Sequence, residues 1–326
     1  MPILAHPLAA AFAARLMQQV ASLAVTLARR DKSGFGNPYN RLREYPRKTR
    51  ELVIPTSVAP APAVVYFPEA SVSASHRRPA VHVNFHGGGF VLPQLGFDDP
   101  LCRYLAAEAG VVVIDVDYAV APQHPFPEPT RQAFEVVQWV AAHGGEHGWD
   151  GSRLSVGGQS AGGSLAAAVA RQALELGGPS ISLQVLHYAP LDLATPIRHK
   201  RSSVKRPSLR PWMGDVFDNA YAPNEAERAD RLISPARASD TADLHGIAPA
   251  VIITAEQDVL QAEAQRYAER LERCEALVAY HEVPNADHAY DMKDLGLARS
   301  MYALIAQHIA RAASRQTSAE QVATTA

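Results

Sequence analysis

RLSVGGQSAGGSLAAAVARQALEL, residues 153–176, is the stretch whose reading decides the fold. Its first half, RLSVGG, ends on small residues after a short β-branched run and predicts the end of a strand. Its second half is alanine- and leucine-rich without interruption and predicts a helix over 161–176. Ser160 stands at the junction, inside G-x-S-x-G. A nucleophile on so sharp a turn needs close strand-to-helix contact, and Gly158 and Gly162 remove the Cβ atoms that would clash there. The helix beginning just beyond Ser160 adds partial positive charge and free N–H groups. The motif alone also fits a plain small-residue turn, so the reading depends on what else the chain supplies.

HGGGF, residues 86–90, follows the apolar run AVHVNF (80–85). Three consecutive glycines after a buried strand leave backbone N–H groups unshielded, which is what a developing oxyanion requires. The predicted donors are the N–H groups of Gly88, Gly89 and Ala161. A phosphate cradle would instead need GxxxxGK[ST], which the chain lacks. His86 reads as a residue bracing this loop.

Strand candidates lie at 50–56, 63–67, 80–85, 111–118, 153–158, 183–189, 250–256 and 277–283. Helix candidates lie at 98–109, 128–143, 161–176, 261–274 and 295–313. Strand-then-helix alternation predicts an α/β fold, with a mostly parallel sheet covered on both faces. The first strands have no helices between them, so the sheet is expected to start antiparallel. The alternation breaks at 195–235, which reads as an insertion.

HGGGF, DYAVAPQHPFP (117–127) and GQSAG (158–162) together resemble the hormone-sensitive-lipase-like group of α/β-hydrolases, over about residues 50–310. The resemblance implies a cofactor-free serine carboxylesterase with an eight-stranded sheet and a helical cap. The cap would consist of residues 1–45 and an insertion at 193–235, around a catalytic body at 46–192 and 236–314, with 315–326 as a polar tail. In that fold the acid and the histidine follow the serine in that order. Asp258 in AEQDVL and His288 in NADHAY stand just past strand candidates, on the sheet edge that carries Ser160. Glu256 and Asp287 are competing carboxylates. Gln159, Gln123 and Gln261 stand where acidic residues are usual, which puts substrate fit and side-chain support in question. Phe90, Gln159, Trp212 and Phe217 are substrate-pocket candidates, and Trp212, Met213, Phe217 and Tyr221 have helical spacing.

The chain has 326 residues, is 47% hydrophobic and carries a net charge of −2, which gives no nucleic-acid signature. Its two cysteines, Cys102 and Cys274, form no CxxC or metal-ligand pattern. No metal site is expected, and a reducing cytoplasm fits. The N-terminal run, interrupted by Arg15, predicts an amphipathic helix in preference to a signal peptide or a spanning helix. Residues 1–50 hold nine Lys/Arg against two acids, and 198–210 holds six against none. Both segments fall in the inferred cap. They make either a positive rim, suited to anionic substrates or an anionic membrane surface, or a merely solvated face. The expected partner is a small acyl ester, and the resemblance suggests a homodimer through the sheet edge. Amide hydrolysis or acyl transfer on the same three residues stays open. A ligand receptor of the same fold would lack the histidine, which is present here.

Overall fold

The computed structural model describes residues 3–30, 37–69 and 78–325. Eight strands form one sheet in the order β1-β2-β4-β3-β5-β6-β7-β8. They are β1 (Thr49–Ile54), β2 (Ala61–Tyr66), β3 (Ala80–Phe85), β4 (Val112–Val116), β5 (Asp150–Gln159), β6 (Ile181–His187), β7 (Ala250–Ala255) and β8 (Leu277–Val283). β2 runs antiparallel to both β1 and β4, and every other pair is parallel. β3, β4 and β7 are buried along their whole length, as strands covered on both faces must be.

Side-chain alternation sorts this sheet into two cores. Val112, Ile114 and Val116 of β4 pack to one side with α3 (Glu128–His147), α4 (Ala161–Leu176) and α6 (Gln261–Arg273). Val111 and Val113 pack to the other with α2 (Asp99–Glu108) and α7 (Leu295–Thr325). α7 runs on through the segment expected to be a tail.

Two helices lie outside this pattern. α1 (Pro7–Arg30) packs on α5 (Pro211–Tyr221), the helix of the 195–235 break. Ala14, Val216, Phe217 and Tyr221 join α5 and α1 to the first core. Gln18 pins α1 to the body, its Nε2 donating to the carbonyls of Val91 (2.8 Å) and Ala121 (3.0 Å). Pro7–Ala28 of α1 is long and apolar enough, by length and composition, to cross a membrane, despite Arg15. Little of that stretch is buried, and Leu8, Phe12, Leu16, Val20, Leu23 and Leu27 stand outward along it.

Candidate active site

β5 delivers Ser160 at its C-terminal end, and α4 starts at the next residue. Ser160 has φ 51° and ψ −120°, a conformation L-residues adopt only under local constraint. Two observations explain how it is held. Ser160 N donates to His187 O at 2.9 Å. A Cβ built on Gly162 would lie 1.7 Å from Phe85 O, and one on Gly158 only 2.3 Å from the same oxygen. Helix and strand therefore meet backbone to backbone, and only glycine fits between them.

Ser160 Oγ lies 3.0 Å from His288 Nε2, and His288 Nδ1 lies 2.7 Å from Asp258 Oδ2. Asp258 follows β7 and His288 follows β8, so parallel neighbours bring residues distant in sequence to one sheet edge. Asp258 and His288 are both buried. Burial pushes the His288 imidazole down, but the adjoining Asp258 carboxylate, with Asp287 and Asp291, more than offsets it. The net shift is upward. The competing acids are occupied elsewhere. Glu256 accepts Asn285 N (2.7 Å). Asp287 accepts its neighbour His288 N (2.7 Å) and both N and Oγ of Ser208 (2.6 and 2.7 Å), tying the insertion to the histidine loop.

The HGGG loop runs alongside. Gly88 and Gly89 have φ 133° and 62°, and neither N–H donates to any described residue. Ala161 opens α4, so its N–H has no helical carbonyl to meet. His86 braces the loop as expected. Its Nδ1 faces Gly87 O at 2.7 Å and its ring stacks on Tyr118 at 4.3 Å. β4 and the residue after it anchor the far end of the loop: Asp115 accepts Gln94 Nε2 (2.6 Å) and Asp117 accepts Gln94 N (2.9 Å).

A cavity of about 230 Å³ opens over Ser160 and His288. Phe90, Gln159 and Phe217 line it, with Leu193, Ile197, Leu209 and Met213 from the insertion. Trp212 does not. It is 48% exposed and faces away, because it stands about 100° round the helix from Met213, on the side opposite Phe217 and Asp218, and those three make the cavity face of α5. Phe90 also stacks on Tyr221, with centroids 3.9 Å apart.

Sequence reasoning missed several groups. Asp291 is a buried hub, accepting from Gln159 Nε2 (2.5 Å), Tyr188 OH (2.8 Å) and Tyr302 OH (2.7 Å). The Tyr188 ring meets the His288 ring edge-on at 4.9 Å. An acid at position 159 would face Asp291 as a like charge, so the amide and the Asp291 carboxylate make a matched pair. Asp98 lines the cavity, and burial with nearby Asp115 raises its carboxyl to about 7. Acids inside an apolar strand, as in VVVIDVDY, were a usable signal for the Asp115 network. Asp291 left none beyond its nearness to His288.

The sequence matches a family described as the α/β hydrolase fold over residues 82–292. It is 33% identical over 258 residues to the esterase LipI of Mycobacterium tuberculosis, covering 77% of this chain and 79% of that protein. It is 35% identical over 212 residues to an ethyl acetate hydrolase of Pseudomonas putida, covering 63% of this chain and 64% of that one. Among solved structures, an esterase of Pyrobaculum calidifontis superposes with a TM-score of 0.78 at 28% identity, covering 91% of this chain and 92% of the other.

Proposed function

The chain belongs to the α/β-hydrolases, in their hormone-sensitive-lipase-like group of carboxylic ester hydrolases, and from that premise we propose that Ser160, His288 and Asp258 hydrolyse short-to-medium acyl esters through an acyl-enzyme. The observation that carries the assignment is the unbroken relay Ser160 Oγ–His288 Nε2–Asp258 at 3.0 and 2.7 Å. Ser160 Oγ attacks the acyl carbon as His288 Nε2 takes its proton. Asp258 holds the Nδ1–H and stabilises the imidazolium. The N–H groups of Gly88, Gly89 and Ala161 receive the oxyanion. The imidazolium then protonates the leaving alkoxide. Water, deprotonated by His288, attacks the acyl-enzyme and releases the acid and Ser160. A cavity of about 230 Å³ lies below the roughly 300–1,000 Å³ of pockets for drug-sized ligands, which supports modest acyl chains.

We read α1 and the 193–235 segment as the cap, supported by the α1–α5 packing and by the cavity residues that the insertion contributes. Arg198 and Lys200 pair inward with Asp215 and Glu263, while Arg201, Lys205, Arg206 and Arg210 are exposed. Those four charges and the apolar stripe of α1 support contact with an anionic membrane surface. Co-sedimentation with phosphatidylserine vesicles, lost on removing residues 1–30, tests it. Two free cysteines support a cytoplasmic location, against which stands the span-length stretch Pro7–Ala28. The open edge at β8 supports a homodimer, which light scattering measures.

The test of function is hydrolysis of p-nitrophenyl esters from acetate to palmitate, with Ser160→Ala as control. Turnover peaking at short or medium chains and lost in the variant is expected. Turnover that survives Ser160→Ala ends the assignment.

A further inference from the structure

The cavity above Ser160 is apolar over most of its wall, with two carboxyls in it, Asp98 just before α2 and Asp218 on α5. Asp218 lines it together with Phe217, Ile197, Leu193 and Met213, and its polar oxygens stand in otherwise apolar company there. Its polar neighbours on the helix are committed. Asp215 holds Arg198 at 2.8 Å, and Asn219 accepts from Arg228 at 2.8 Å. The Asp218 carboxylate has no hydrogen bond and no ion pair with any described residue. The charged groups around it are Lys200, Arg228, Glu263 and Asp215. Both cations are engaged elsewhere: Lys200 Nζ lies 2.6 Å from Glu263, and Arg228 Nε donates to Ala222 O at 2.9 Å.

Asp218 is half-buried, and a carboxyl on a cavity wall with no protein partner keeps its hydrogen-bonding capacity free for a ligand. Burial raises its carboxyl to about 7. Near neutrality it therefore accepts a hydrogen bond in either form and attracts a cation in one.

We propose that Asp218 is a specificity residue that receives a hydrogen-bond donor, a hydroxyl or an ammonium, carried by the substrate ester. This rests on the esterase reading above. It makes the preferred substrates functionalised esters, and it disfavours chains ending in a carboxylate. A hydrogen bond to a charged group corresponds to a preference on the order of 10- to 100-fold over the plain hydrocarbon isostere.

The experiment compares kcat/KM for p-nitrophenyl hexanoate, 6-hydroxyhexanoate and 6-aminohexanoate, with the octanoate set, and butyl butyrate against 3-hydroxypropyl butyrate. The two series separate a donor on the acyl side from one on the alcohol side. The ammonium and hydroxyl arms separate the two donors. Wild type is expected to prefer donor-bearing esters in one series by at least tenfold. Asp218→Leu should abolish that preference, read as the ratio of donor-bearing to plain ester within the same variant. Asp218→Asn, which preserves shape if the leucine variant fails to fold, should lose the ammonium preference and keep the hydroxyl one. In wild type the ammonium-to-hexanoate ratio should rise from pH 6 to 8 as Asp218 ionises. In Asp218→Asn that rise should shrink to what Asp98, the cavity's other raised carboxyl, contributes, since His288 titration cancels in the ratio. Good hexanoate turnover with no donor preference in either series, or a preference that survives Asp218→Leu, overturns the inference alone. Absence of Ser160-dependent hexanoate turnover takes the esterase reading down with it.

Discussion

Gly162→Ala places the fold's tightest contact under test. The added Cβ would sit 1.7 Å from Phe85 O, 2.5 Å from its carbonyl carbon and 2.8 Å from His86 O. All three are backbone atoms, so no side chain can swing aside. Ordinary C–H···O contacts lie at roughly 3.3–3.6 Å, so α4 and the end of β3 must part by about 1.6 Å. That displacement separates Ser160 and the Ala161 N–H from the Gly88 and Gly89 N–H groups. Misplacing reacting groups by about 1 Å costs on the order of 10²-fold, so kcat/KM for p-nitrophenyl butyrate should fall at least that far. Overpacking adds a loss of about 1–3 kcal/mol, measurable by urea unfolding. Gly145→Ala on α3 is the control. Its Cβ would meet only the Arg78 guanidinium, no nearer than 3.6 Å, and activity should not change. A Gly162→Ala enzyme within threefold of wild type and equally stable would refute the claim that backbone contact here sets the site.

Three further outcomes follow from the buried groups. Asp291→Asn removes the charge that Gln159, Tyr188 and Tyr302 bind, and should cost about 2 kcal/mol in urea unfolding. It should also shift the acid limb of kcat/KM to lower pH, since Asp291 helps hold the His288 pKa up. Because burial of His288 is more than offset by Asp258, that limb should lie above the usual histidine value of about 6.5 in wild type. Asp258→Asn should move the limb down and cut kcat by about 10³–10⁴, read from a pH–rate profile. Lys200→Met strands the buried Glu263 carboxylate and should cost about 3–5 kcal/mol near pH 8. Burial holds the folded Glu263 pKa above its unfolded value, so its charged form destabilises at high pH. The deficit should shrink as the pH falls towards 5 and Glu263 takes up a proton.

The sequence by itself determined the eight strands and the alternation that makes most of the sheet parallel. β-branched runs and alanine-rich runs carry different periods, and each is a local property. It also marked the turn at Ser160, because two glycines at fixed spacing are a local steric requirement. Asp258 and His288 could be singled out only through strand ends and the family resemblance, since nothing local distinguishes His288 from twelve other histidines. What lies between elements was decided by tertiary structure alone. Trp212 and Met213 are adjacent in the chain, yet only Met213 meets the cavity, because the rotation of α5 is set by its packing on α1. Asp291 and Asp218 are ordinary surface-type residues in the sequence. One became a hub for three donors and the other an unpaired carboxyl on the wall of the cavity. Burial and partnership are pairwise properties of distant segments, and they exist only once the sheet has brought those segments together.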